Sequence, residues 1–181
     1  QNFLTPEFWQ PMVETVHGTI VECNTAYPGE RNTTDAHRRT MIKHGWSKLF
    51  DVDILDAEGP DLELPIPNGK RIQKNLVGKD IKNYDSMLVL SHFKGHPMGG
   101  FGGALKQLSI GCASSAGKAN IHGAGKPEEM WTTEQNTFLE SMADAAESVV
   151  KLFDGKIVYI NVMKNMSVDC DCCAVAEDPC M

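Results

Sequence analysis

Apolar residues in this chain gather into short runs separated by turn-rich polar stretches. Three runs are rich in the aliphatic and β-branched residues that favour extension: "GTIVECNTAY" (18–27), "SMLVLSHF" (86–93) and "GKIVYINVM" (155–163). Each predicts a buried strand. "FDVDILDAEG" and "DLELPI" read as further strands or sheet edges. "GKRIQKNLVGKDIKNY" reads as short amphipathic pieces with a hairpin.

Helical spacing appears between these runs. In 132–153, Phe138, Met142, Ala145, Ala146, Val149 and Phe153 recur on one face, with Thr132 or Thr133 as the expected N-cap. "TTDAHRRTMIKHG" predicts a second helix. Thr33 or Thr34 would cap it, Asp35 and Lys43 suit its dipole, and Gly45 stands just past its end. "ALKQLSIG" predicts a short third helix. Helices between apolar strands predict an α/β fold: a mainly parallel sheet with helices on both faces, in three layers. Nothing divides residues 1–181, so one domain is expected, with a cysteine-rich tail at 167–181. The start at Gln1 and the stop at Cys180-Met181 suggest a piece of a longer protein.

Composition narrows the function classes. The net charge of −7 removes the basic footprint of a nucleic-acid binder. No apolar run approaches the roughly 20 residues of a membrane helix, so no membrane partner is expected. No signal peptide is visible, which makes a reducing cytoplasm the expected compartment. A small anionic substrate or a redox partner protein is the expected partner, with a homodimer as a further option.

The block "SHFKGHPMGGFGGALKQ" (91–107) carries the first candidate chemistry. If the strand stays extended, His92, Lys94 and His96 point to one side at its C-terminal end, where open α/β sheets bind ligands. Five of the nine residues 95–103 are glycine. Gly99, Gly100, Gly102 and Gly103 would let backbone amides approach an anion, with Lys106 adding charge. His92, Lys94 and His96 are thus the candidate catalytic groups, the histidines as acid, base or metal ligands. The bland alternative is a tight turn with backbone-paired histidines. "GCASSAGKANIHGAGK" (111–126) imitates a phosphate loop but misses its spacing, and Ala119 stands where a hydroxyl is required. Lys118, His122 and Lys126 could face an anion there, or the segment is a solvated glycine loop. Arg31, Arg38 and Arg39, near Cys23, could hold an anion or form a solvated helix face, and Trp9, Trp46 and Trp131 read as packing residues.

The tail "SVDCDCCAVAEDPCM" holds four of the six cysteines. In an extended "DCDC", Cys170 and Cys172 share one face, roughly 6.5–7 Å apart. Cys173 starts toward the other face, and Pro179 fixes a bend before Cys180. Cys170, Cys172 and Cys180 are therefore the local ligand candidates for a thiolate metal site. A tetrahedral zinc or a cubane cluster needs a fourth donor. Cys23, at a strand end, and Cys112 are the rivals, and both could instead be small buried hydrophobes.

Several stretches together resemble a known family: "NFLTPE", "IVECNTAYPGERNTT", "DILDAEG", "VLSHFKGHPMGGFGGALKQLSIGCASSAGKANIHGAGK" and "YINVMKNMSVDCDCCAVAEDPCM". They look like the widespread prokaryotic family called domain of unknown function 362, many of whose members are associated with iron–sulfur clusters. The resemblance runs in order along almost the whole chain. Members usually extend past both ends of such a chain, and some add a ferredoxin module that this sequence lacks. The resemblance implies Cys23, Cys170, Cys172 and Cys180 as ligands of an iron–sulfur cluster, most simply 4Fe–4S. It implies no settled reaction. The expected function is a cluster-binding protein with a glycine- and histidine-lined anion pocket, acting by electron transfer or as a Lewis acid. A zinc-stabilised binding protein, and a metal or cluster carrier using Cys172 and Cys173, are the alternatives.

Overall fold

The computed structural model describes residues 3–167. Its strands form two parallel and two antiparallel pairs, interleaved with helices. β1 (Ile20–Glu22) runs parallel to β2 (Val52–Ile54), and β5 (Met87–His92) runs parallel to β8 (Ile157–Val162). β3 (Leu62–Pro65) pairs antiparallel with β4 (Lys74–Val77), so the hairpin expected within 69–84 forms instead with the preceding strand, and β6 (Lys94–His96) pairs antiparallel with β7 (Gly100–Gly102). The chain is thus a mixed helix-and-strand structure with short sheet pieces of both senses.

Local signals explain most helix ends. α2 (Thr34–Lys43) is capped by the Thr33 hydroxyl, which accepts from the Ala36 amide at 3.4 Å. Gly45 follows it at φ +85°, a conformation that favours glycine. α6 (Gln135–Leu152) is capped by Glu134 rather than by Thr132 or Thr133. The Glu134 carboxylate accepts from the amides of Asn136 and Thr137, at 3.0 and 2.9 Å. Both threonine hydroxyls instead donate to the Glu129 carbonyl of the preceding turn. The charged acceptor wins at the positive end of the dipole.

Two helices depart from the sequence expectation. α1 (Pro6–Val16) starts with Pro6 in its first turn and buries Trp9 and Val13. α5 (Ser115–His122) forms where a glycine loop was one expectation, because the Ser114 hydroxyl caps the Gly117 amide at 3.0 Å. Gly117 lets this helix lie on β4, since a Cβ there would fall 1.9 Å from the Leu76 carbonyl oxygen. Between β7 and α5, α4 (Ala104–Lys106) continues into a π turn over Gln107–Gly111. α3 (Trp46–Leu49) completes the set with 3-10 turns at Lys79–Asn83 and Pro127–Glu129.

The core joins the two parallel pairs. Val89 of β5 and Leu55 after β2 pack with Ala146, Val149 and Phe153 of α6. On the opposite side, Ile20 of β1, Leu90 of β5 and Val162 of β8 pack around Trp9 and Val13 of α1. A second cluster of Ile121, Phe138, Met142 and Ala145 fixes α5 to α6. All six apolar positions expected on α6 are buried. Asp144 on α6 is also buried, and its carboxylate accepts from the amides of Lys70, Arg71 and Ile72. β8 differs from the expected buried strand: Val158 and Tyr159 are 61% and 45% exposed, and among the described strands β5 alone flanks it. Trp131 is not a packing residue; it is exposed and leans on Tyr27 with ring centroids 5.9 Å apart. Among the described residues, no helix is long and apolar enough to cross a membrane.

Candidate functional site

Beyond the C-terminal ends of β1 and β2, polar side chains that lie far apart in sequence meet. Asp56 is the hub. One carboxylate oxygen accepts from the Asn24 amide and the other from the Ser115 amide, both at 2.9 Å. This ties the loop after β1 to the loop after β2 and to the first turn of α5. Ser115 Oγ donates to the Thr25 carbonyl at 3.0 Å, closing the ring. Ser114 Oγ donates to Asp61 at 2.6 Å while capping α5. Fixed polar groups at the carboxyl ends of parallel strands are where α/β structures hold ligands.

His37 is the imidazole of this network. It is 1% exposed, on the buried face of α2 beside Met41. Its Nδ1–H donates to Asn24 Oδ1 at 3.2 Å, and Asn24 Nδ2 donates to Thr34 Oγ1 at 3.1 Å. The ring proton thus sits on Nδ1, and Nε2 carries the basic lone pair. Burial, with Arg31 and Lys118 nearby, pushes its pKa down to about 4, so the imidazole is neutral at physiological pH.

Under this network lie two thiols and a lysine. Cys23 and Cys112 are both buried, and Cys23 Sγ donates to the Cys112 carbonyl at 3.4 Å. Desolvation raises both thiols, Cys112 to about 12. The buried Lys118 ammonium opposes that shift at each cysteine. Lys118 Nζ donates to the Ala113 carbonyl at 2.6 Å, and the His122 ring lies on Phe138 at 4.8 Å. His122 Nδ1 is held by the Lys118 carbonyl, and burial lowers its pKa. Lys126, by contrast, pairs with Glu129 at the surface.

A cleft of about 530 Å³ opens between the two parallel pairs, within the size range of small-molecule sites. Thr19, residues 20–22 of β1 and residues 87–90 of β5 line it in succession, so a backbone edge faces it from each side. Trp9, Met41 and Trp46 supply apolar wall, and Arg31, His37 and His92 supply basic groups. Gln107, Gly111 and Cys112 bring the π turn to the same wall. Glu22 and Glu30 also line it, Glu30 being paired with Lys43 at 3.1 Å.

The glycine block is divided where an unbroken strand was expected. β5 ends at His92 with β8 as partner, and β6 turns to a new partner, β7. His92 lines the cleft, and its Nε2–H donates to the Lys164 carbonyl at 2.6 Å. His96 folds onto its own turn: Nδ1 accepts from the Gly99 amide at 2.9 Å and the Met98 amide at 3.3 Å. Lys94 and Lys106 pass over Gly102, where a Cβ would sit 3.3 Å from Lys94 Cε and 3.9 Å from Lys106 Cδ. Gly100 takes φ +72° in the turn. After Gly103, the Ala104 amide is taken by Asn161 Oδ1 at 3.0 Å, so that helix-start donor is already occupied.

His92, Lys94 and His96 therefore have separate settings, and only His92 lines the cleft. The sequence reading missed Asn24, His37 and Asp56 as site residues. For His37 there was a signal: an imidazole four residues before Met41 on the helix stripe that meets the core. Asn24 and Asp56 carried none, since each gains meaning only from where the other's loop lies. Arg31, Arg38 and Arg39 are exposed as expected, with Arg31 at the cleft rim.

Of the expected cluster ligands, Cys23 is described; Cys170, Cys172 and Cys180 lie outside the described residues, as does Cys173. Among the described residues, no three His, Cys, Asp or Glu side chains converge as a metal site. Cys23 alone is a protonated, hydrogen-bonded thiol, so the described donors do not by themselves fit a cluster. Ser167, at the start of the tail, is bound to β6 by its carbonyl, which accepts from the Gly95 amide at 2.7 Å.

No curated protein and no solved structure matches this chain. One family model matches residues 1–181, the whole length, and its description is "Domain of unknown function (DUF362)". Glycine hairpin, β1-end network and tail all fall within that match, and the chain belongs to the DUF362 family.

Proposed function

We propose that the protein binds a small anionic ligand with an apolar body in the cleft between the two parallel strand pairs. The carrying observation is the neutral, Asn24-oriented His37 on the wall of an otherwise largely apolar cleft. Arg31 supplies the charge at the rim, and Trp9, Met41 and Trp46 exclude water from the ligand's apolar part. The Nδ1–H bond to Asn24 fixes the tautomer of the neutral ring, so His37 offers Nε2 as a hydrogen-bond acceptor. In this reading the two parallel pairs are halves of one mainly parallel, three-layer sheet, supported by α1 packing on one side of β5 and α6 on the other. Titration calorimetry with benzoate, phenyl phosphate and inorganic phosphate tests the proposal. Phenyl phosphate or benzoate should bind more tightly than inorganic phosphate and lose affinity in Arg31→Ala. Equal, Arg31-independent binding of all three, or none, would sink it.

The cysteine pattern supports a second reading, with Cys23, Cys170, Cys172 and Cys180 holding a 4Fe–4S cluster and zinc as the alternative metal. One observation favours it: the buried Lys118 ammonium next to Cys23 favours a thiolate there. Such a cluster, when bound, supplies electron transfer or an open Lewis-acid iron, with His92, Lys94 and His96 as candidate catalytic groups and Gly99, Gly100, Gly102 and Gly103 beside Lys106 as the candidate anion-binding loop. A carrier that passes its metal to a redox partner protein is the non-catalytic form of this reading. Burial of the thiols suits a reducing cytoplasm. Anaerobic purification with metal analysis and electron paramagnetic resonance decides: iron and sulfide in stoichiometric amounts, lost in Cys23→Ser, are expected. Stoichiometric zinc with no paramagnetic signal on reduction would replace iron by zinc.

A further inference from the structure

β8 has an open outer edge. It pairs only with β5 among the described strands, yet Val158, Tyr159 and Met163 are 61%, 45% and 60% exposed. Ile157 and Val162 pack on the core from opposite faces, which leaves the middle of the strand exposed, whereas parallel sheets are normally covered. An exposed apolar edge is also a template for another strand.

The backbone direction of this edge can be read residue by residue. The carbonyls of Lys156 and Val162 accept from the Met87 and Phe93 amides, at 3.0 and 2.9 Å. The even-numbered residues of β8 therefore direct their peptide groups toward β5. By alternation, Ile157, Tyr159 and Asn161 direct theirs outward. We propose that a second copy of this chain occupies the edge, its β8 antiparallel to the first and the two-fold axis passing through Tyr159.

That register pairs Tyr159 with Tyr159 and Ile157 with Asn161, so every outward amide and carbonyl of these three residues meets a partner. It also joins the two tyrosines on the face that carries Asn161 and α4, and aromatic cross-strand pairs are favourable. Charge selects it over its neighbour. With the axis at Tyr159, the Asp154 end of one strand approaches Lys164 of the other. With the axis at Ile160, Lys156 would stand opposite Lys164, and like charges directly opposite are unfavourable. The contact is isologous and closes as a dimer.

Sedimentation velocity of the full 181-residue chain over a concentration series should show a monomer–dimer equilibrium. Tyr159→Lys places two ammonium groups at the axis and should abolish the dimer with an unchanged circular dichroism spectrum. Tyr159→Cys, treated with oxidised glutathione, should yield a 159–159 linked peptide by mass spectrometry. A hydrogen-bonded antiparallel pair sets the Cα atoms about 5.5 Å apart, inside the roughly 4.4–6.8 Å of disulfides. Ile160→Cys and the unsubstituted chain should give no such axial link. A chain monomeric throughout, a dimer indifferent to Tyr159→Lys, or a link through Ile160→Cys instead of Tyr159→Cys would overturn the proposal.

Discussion

His37 shows how a single residue acquires a role from its surroundings. Its pKa is depressed, from 6.5 to about 4, by burial first and by Arg31 and Lys118 next. Between those values the unfolded chain binds a proton that the folded chain refuses. Folding stability should therefore be complete above the unfolded value and decline as pH falls through the window, by at most about 1.4 kcal/mol per pH unit from this group. In thermal melts from about pH 7 to about pH 4, His37→Gln should show a shallower decline than the parent chain. Identical slopes would show that His37 is not the buried neutral group described. Cys23 and Cys112 make a parallel case. Their raised pKa values predict resistance to iodoacetamide in the folded metal-free chain and labelling once it is unfolded in urea, read by peptide mass mapping. Prompt labelling of either in the native state would contradict their burial.

At the scale of elements, α5 depends on two small residues. Ser114 both caps the helix and donates to Asp61, and it is 1% exposed. Ser114→Ala should cost about 1–2 kcal/mol in urea unfolding, since it removes a cap and leaves a carboxylate short of a donor. Gly117 serves by lacking a side chain, because a Cβ would overlap the β4 backbone rather than a movable side chain. Gly117→Ala should cost about 1–3 kcal/mol through forced separation of α5 from β4. If either variant kept the parent's stability, the seating of α5 would be wrong. The same helix fixes Ser115 and Lys118 at the site, so both substitutions should also weaken ligand binding in the cleft.

At the scale of the whole molecule, α6 carries the load that joins the sheet pieces. Phe138, at 0% exposure, packs with Ile121 and Met142 and stacks on His122. Phe138→Ala should lower unfolding stability by about 3–5 kcal/mol while leaving one cooperative transition. Separate transitions for the two parallel pairs would show that the core does not unite them. The cleft belongs to this scale as well, because neither parallel pair encloses it alone.

The sequence by itself determined what depends on neighbours within a few residues. Apolar runs located β5 and β8, helical spacing located the buried face of α6, and Thr33 and Gly45 bounded α2. It also left Cys23 and Cys112 between metal ligand and buried hydrophobe, and set the glycine block beside a strand end. Tertiary structure decided the rest. Glu134 displaced two plausible threonine caps because their hydroxyls were engaged one turn earlier. Ser114 turned a glycine-rich segment into α5 because Asp61, far upstream, holds the capping hydroxyl. His92, Lys94 and His96 were distributed among three settings because β6 changes partner. The site formed around Asn24, His37 and Asp56 instead, through hydrogen bonds spanning 10 to 59 residues of chain. Local patterns specify backbone conformation and burial; a carboxylate's partners across such separations exist only once the core has brought the loops together.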